Sequence, residues 1–138
     1  MRIESDGPDA TETAGAELAI RLRTGDVVLV SGELGSGKTT FVRGACRALG
    51  VDGAVTSPTF TIGQLYAARG LEVAHLDLYR VPSLAAEDPG LLDDYLTEDA
   101  VAFVEWPGVA EPQLERIALR VELSHHGGDG RLIDVRRP

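Results

Sequence analysis

Hydrophobic and polar positions change period several times along this chain, and each change marks an element. Arg2 to Asp6 fits a short edge strand, and Asp9-Ala10-Thr11 then opens an Ala-rich helix to about Arg23, with Ala14, Leu18 and Leu22 on one stripe. Thr24-Gly25-Asp26 closes that helix with a turn. Val27-Val28-Leu29-Val30 is an unbroken apolar run rich in β-branched residues, as a buried parallel strand requires. Thr39 to Leu49 returns to helix and is ended by Gly50. From Val51 to Thr61 the chain is a connection in which Pro58 forbids a helix. Thr61 to Tyr66 and Leu71 to Tyr79 alternate with period two around Ala67-Ala68-Arg69-Gly70, which predicts a hairpin. Ser83 to Tyr95 is acidic and partly helical, broken near Pro89-Gly90. Val101 to Glu105 is a second buried-strand run, stopped by Pro107, and Arg116 to Ser124 with Arg131 to Arg137 form a closing hairpin around Gly127-Gly128-Asp129-Gly130.

Between the first apolar strand and the second helix lies Gly32-Glu33-Leu34-Gly35-Ser36-Gly37-Lys38-Thr39, followed by Thr40, which matches G-x-x-x-x-G-K-[ST] at every fixed position. Strand, glycine loop and helix are the context that pattern needs. The glycines let the backbone turn tightly and aim successive N–H groups of Gly35 to Thr40 at phosphate oxygens, while the helix presents its positive end. Lys38 reaches the β- and γ-phosphates, and the Thr39 hydroxyl is placed to ligate Mg²⁺. Lys38 is also the only lysine of an arginine-rich chain, as expected where a broad planar guanidinium cannot replace a slim ammonium. The fold class that follows is α/β: a three-layer P-loop NTPase domain with a mixed sheet, a parallel core extended by antiparallel hairpins.

At 138 residues the chain is one domain, 1–138, with room for a sizeable core. Apolar and charged fractions of 43% and 25% are those of a globular protein in water. A net charge of −9 argues against a surface that binds nucleic-acid phosphates unaided, so any contact with RNA runs through a partner. Cys46 is the lone cysteine, which excludes an internal disulfide and reads as a small buried apolar residue. No signal peptide or membrane-spanning run is legible, and the expected location is the cytoplasm.

A phosphate loop needs an acid at the end of a neighbouring strand to hold Mg²⁺ or its waters. Glu105 and Asp77 both qualify, and spacing leaves them unranked. Glu105 ends a clean apolar run, whereas Asp77 lies within an alternating strand, where burial demands a cation or hydrogen bonds; Arg80 is its obvious partner. Trp106, directly after Glu105, falls at the mouth of the site if its strand runs parallel to the loop strand. Thr56, Ser57 and Thr59 crowd hydroxyls into a loop suited to orienting a γ-phosphate or water, with Thr59 the expected switch residue. His75, His125 and His126 show no metal-ligand grouping, and the last two read as surface. The acidic stretch Glu87, Asp88, Asp93, Asp94, Glu98 and Asp99 reads as a solvated face.

Taken together, the loop, Ser57-Pro58-Thr59-Phe60-Thr61, His75-Leu76-Asp77-Leu78-Tyr79-Arg80, Asp94-Tyr95 and Glu105-Trp106-Pro107 resemble, in order, the TsaE (YjeE) ATPases of bacterial tRNA threonylcarbamoyladenosine biosynthesis. The resemblance implies binding and hydrolysis of ATP with Mg²⁺, in support of TsaD and TsaB subunits that place threonylcarbamoyl on adenosine 37 of tRNAs reading codons that begin with A. It implies Thr39 and Glu105 as Mg²⁺ ligands, Gly35, Ser36, Gly37, Lys38, Thr39 and Thr40 as phosphate contacts, Asp77 as a second acid essential to hydrolysis, and Trp106 as a site residue. Glu33 stands where the family commonly has Asp and Ser36 where Ala is frequent; neither change removes a backbone N–H. The N-terminal segment and closing hairpin match weakly, so Asp9 to Thr11 and Arg131 are assigned no nucleotide contact.

In the mechanism this suggests, Lys38, Glu105 and Asp77 are the catalytic residues and water attacks the γ-phosphate in line, with Asp77 as base or water-positioning group. With no arginine finger apparent beyond Arg80, hydrolysis by the isolated protein is expected to be slow. Three other P-loop roles compete. A small-molecule kinase would need an acceptor-binding insert and lid, for which segments 50–61 and 80–100 are short. A GTP switch of the familiar kind needs an asparagine in its guanine motif, and the chain contains none. A regulatory subunit that binds nucleotide without turnover differs from the ATPase only in rate.

Overall fold

The computed structural model describes residues 1–138 except 58–61, 80, 82–89, 91 and 109. Strand β1 (Arg2–Ser5) leads into helix α1 (Pro8–Ala19); β2 (Val27–Gly32) leads through the glycine loop into α2 (Lys38–Ala48). A hairpin of β3 (Gly63–Ala67) and β4 (Glu72–Asp77) follows, then β5 (Ala100–Glu105) and the closing pair β6 (Ile117–His125) and β7 (Arg131–Arg136). The described strands form one seven-stranded sheet ordered β1-β7-β6-β2-β5-β4-β3. β4, β5, β2 and β6 run parallel; β3, β7 and β1 add antiparallel flanks. A mixed sheet with a parallel centre is therefore the architecture, as the hydrophobic runs predict.

Alternation along the central strands divides the core in two. Val28, Val30, Val101 and Phe103 face α1 and α2 and pack with Ala14, Leu18, Phe41, Val42 and Ala45. Val27, Leu29, Ala102 and Val104 face the other way, against Leu92, Tyr95 and Leu96 and against Ala110 and Leu114. That second layer consists, among the described residues, of turns around 92–96 and a short 3₁₀ turn at Glu111–Gln113. Most of the acidic stretch expected to be partly helical lies outside the described residues. No described helix is long and apolar enough to cross a membrane.

Two of the boundary differences change the picture. α1 stops at Ala19 rather than near Arg23, and the chain continues in tight turns, with Arg21 N–H donating to Leu18 O and Leu22 N–H to Ala19 O. The cause is local: the Asp26 carboxylate accepts from the Arg23 N–H at 2.8 Å and draws that residue into the Gly25 turn. Leu22 still packs against the core from this turn. β4 ends at Asp77 rather than Tyr79, which moves Asp77 from within a strand to its carboxyl end. There the Leu78 N–H donates to Glu105 O, and the Val81 N–H turns back to Leu78 O.

The helices touch through glycine. A Cβ on Gly15 would lie 2.1 Å from Phe41 O, and one on Gly44 would lie 2.0 Å from Glu12 O. Both distances are sub-contact and both obstacles are backbone, so α1 seats against α2 with no room for a methyl group at either crossing point. Exposed pairs of Arg43 and Arg47 with Glu12, at 3.5 and 3.8 Å, flank the contact and add little. Helix propensity favours Ala over Gly by about 1 kcal/mol, but overpacking a tight contact costs about 1–3 kcal/mol. Gly44→Ala is therefore expected to lower the urea midpoint despite the better helix former. A midpoint equal to or above wild type would show that the two helices separate freely.

Candidate nucleotide site

The loop that links β2 to α2 is held open by backbone conformation. Gly37 caps α2 at φ 97°, a left-handed value that suits glycine, and no side chain caps the helix. The first helical bond runs from the Phe41 N–H to Gly37 O, so the N–H groups of Lys38, Thr39 and Thr40, in the first turn, have no intrahelical acceptor. This is the arrangement that receives an anion at a helix N-terminus.

Lys38 is buried, 5% exposed, and its Nζ donates to the carbonyls of Gly32 at 2.8 Å and Glu33 at 2.9 Å. The ammonium also lies 4.3 Å from the centre of the Trp106 ring, a cation–π contact. Trp106 itself has a left-handed backbone, φ 55°, uncommon for so bulky a residue. It is held there by its N–H, which donates to Val30 O, and by the Tyr79 ring 4.8 Å away. β5 is parallel to β2, so Trp106 does stand at the mouth of the loop. Burial draws the Lys38 pKa below its ordinary 10.5, opposed by the charges of Glu105 and Asp77.

Sheet register gathers the acids. Across the parallel ladders Val30 pairs with Glu105 and Glu105 pairs with Asp77, so both carboxylates end adjacent strands on the face that carries α2. Glu105 is 2% exposed and fully engaged. The Thr39 hydroxyl lies 3.1 and 3.2 Å from its two oxygens, and His75 Nε2 lies 2.5 Å from Oε2. A carboxylate only accepts, so Thr39 donates to Glu105, and the Ser57 hydroxyl, 2.7 Å away, is left to donate to Thr39. Asp77 is half-buried; its carboxylate accepts from the Tyr79 N–H at 3.0 Å. Burial is the main cause that raises the Asp77 pKa; the Tyr79 hydrogen bond opposes it and nearby Glu105 adds to it.

The predicted loop residues, Thr39, Asp77, Glu105, Ser57 and Trp106 are thus brought together. Thr59 and Arg80 lie outside the described residues. His125 and His126 are exposed, as expected. Sequence reasoning missed His75, fully buried against Glu105 with its Nδ1 unpartnered. Its signal was available: in a strand, His75 shares a face with Asp77 two positions on. Arg131, assigned no nucleotide contact from the sequence, lies with its guanidinium against the loop carbonyls of Gly35 and Ser36, a contact the sequence did not suggest.

The donor chemistry fits a hard divalent cation. Thr39 and Ser57 hydroxyls and the Glu105 carboxylate converge, all oxygen, with Asp77 on the next strand. Among the described residues no group of three or more His, Cys, Asp or Glu forms a cage by itself. Beside the loop a cleft of about 890 Å³ is lined by Glu33, Tyr79, Trp106, Pro107, Glu122 and Leu123, among others.

The family described as "Threonylcarbamoyl adenosine biosynthesis protein TsaE" matches residues 5–133. The TsaE protein of Bacillus subtilis is 38% identical over 133 residues, 96% of this chain and 83% of that protein. The TsaE protein of Streptomyces coelicolor is 42% identical over 117 residues, 83% of this chain and 79% of its own. In structure, the chain is similar to Bacillus subtilis YdiB, with a TM-score of 0.79 at 32% identity, covering 96% of this chain and 82% of that one.

The Asp77 environment has a thermodynamic consequence. A carboxyl whose pKa is raised on folding stabilises the native state fully below its unfolded pKa of about 3.9, and that contribution is lost as pH rises through the folded value. At neutral pH the ionised group is a burden on the fold. Asp77→Asn is expected to melt above wild type at pH 7, with the gap narrowing toward pH 4. A gap that is constant with pH, or of opposite sign, would show that the carboxylate is well solvated or paired.

Proposed function

Because this chain belongs to the TsaE family of threonylcarbamoyl adenosine biosynthesis proteins, we propose that it is a Mg²⁺-dependent ATPase whose cycle supports threonylcarbamoyl transfer to tRNA. The observation that carries this reading is the Thr39 hydroxyl donating to buried Glu105, beside a phosphate loop whose lysine is already folded into it. That bond ties the helix that receives phosphate to the strand end that supplies the acid.

The phosphates are taken by the N–H groups of the loop and of the first turn of α2. Lys38 waits at the carbonyls of Gly32 and Glu33 and transfers its hydrogen bonds to the β- and γ-phosphate oxygens. The Thr39 hydroxyl oxygen, with Glu105 and Asp77 directly or through water, would hold Mg²⁺, which when bound offsets charge on the transferring phosphoryl group. His75 and Thr39 fix the Glu105 carboxylate from two sides. Asp77, more open than Glu105 and raised in pKa, is suited to orient water for in-line attack and to take up its proton. Hydrolysis by the protein alone is expected to be slow, an arginine finger being left to Arg80 or to a partner. TsaD and TsaB are the proposed partners that accelerate it, in the cytoplasm, with tRNA engaged through them, consistent with the net charge of −9.

Slow ATP hydrolysis by the pure protein that rises on adding a matched TsaD–TsaB pair is the expected result. Lys38→Ala should reduce the rate at least about 10²-fold, the scale of losing one preorganised charge-stabilising donor. Binding without turnover, with and without the pair, would sink the ATPase reading in favour of a regulatory subunit.

A further inference from the structure

Resting on the phosphate-site reading above, we infer that Arg131, which belongs to none of the motifs of the site, is the positioning residue that aims the amides of the phosphate loop. It begins β7 directly after the glycine turn of the closing hairpin, and its side chain runs behind the loop. Nε donates to Ser36 O at 3.0 Å and Nη2 to Gly35 O at 3.0 Å. Nη1 donates to Gly128 O at 3.1 Å and Gly130 O at 2.7 Å. The fork therefore bridges two loops that are remote in sequence.

Peptide geometry turns this grip into direction. In a planar trans peptide the carbonyl and the following N–H point to opposite sides. With Gly35 O turned to the guanidinium, the Ser36 N–H points away from it, into the loop, where it bonds Glu33 O at 3.1 Å. With Ser36 O turned the same way, the Gly37 N–H also points away from Arg131. One planar group thus turns two consecutive amides to the side of the loop away from Arg131, the first of them closing the turn on Glu33 O. Gly35 and Gly37, at φ 74° and 97°, have no side chains to brace these conformations, so the brace comes from outside the loop.

Arg131 is a support and not a phosphate ligand. Of the five N–H groups a guanidinium carries, four are committed to carbonyls. Among the described residues it forms no ion pair, so its charge also stands uncancelled behind the anion site. Lysine, a single point of charge, cannot span both loop carbonyls and the hairpin turn at once.

Arg131→Gln and Arg131→Lys test this, with hydrogen exchange of segment 34–38 in the nucleotide-free protein and the Kd for Mg-ATP as readouts. The expected result is faster exchange confined to 34–38, with β2 and β5 unchanged, and a Kd for Mg-ATP raised about tenfold in the Gln variant and less in the Lys variant. Unchanged exchange in 34–38 in both variants, or wild-type affinity in the Gln variant, overturns the inference. Should Arg131→Gln fail to fold, the Lys variant carries the same two readouts and the same criteria. Failure of the wild-type protein to bind Mg-ATP would instead remove the proposed function, while the exchange comparison would still decide the bracing role.

Discussion

The hydrogen bond between Thr39 and Glu105 depends on a constraint set by the sheet: β2 and β5 must lie side by side, parallel and in one register. Val30 opposite Glu105 places the acid level with the start of the loop, and Asp77 opposite Glu105 sets the second acid beside the first. A slip of one residue in either ladder would turn a carboxylate to the other face of the sheet. Because both faces of these strands are buried, the apolar residues before each acid resist such a slip, and the chemistry inherits the stiffness of the core.

That dependence separates what could be read from the sequence from what could not. The loop, the strand before it and the helix after it are local, and Val27 to Val30 followed by the glycine pattern announces all three. The ranking of Glu105 against Asp77 is not local, since it rests on which strands become neighbours. His75 carried one local signal, the face it shares with Asp77, but an isolated histidine within an apolar run looks like core until its neighbour strand supplies a carboxylate. Arg131 is separated by 95 residues from the carbonyl of Ser36 that it reaches, and nothing in the closing hairpin's own pattern signals the loop. The glycines at the helix crossing, Gly15 and Gly44, look like weak points in their helices and are instead contact points.

The site is also where the fold tolerates discomfort. Trp106 is in an uncommon backbone conformation, Asp77 is desolvated beside a second carboxylate, and Lys38 is buried beneath an aromatic ring. Each departs from what stability alone would favour, and all lie at the carboxyl ends of the parallel strands. Local conflict concentrated in one place, within an otherwise consistent core, is the pattern expected of a functional site and fits the function proposed for it.

The distribution of cationic side chains carries a practical corollary. Every positive side chain other than Lys38 and the histidines is a guanidinium, and Lys38 is buried in the loop. The exterior therefore offers no side-chain amine to acylating reagents, to amine-reactive crosslinkers or to enzymes that modify lysine. Among side chains, such chemistry can report on one place only, and its access there is governed by the contents of the loop.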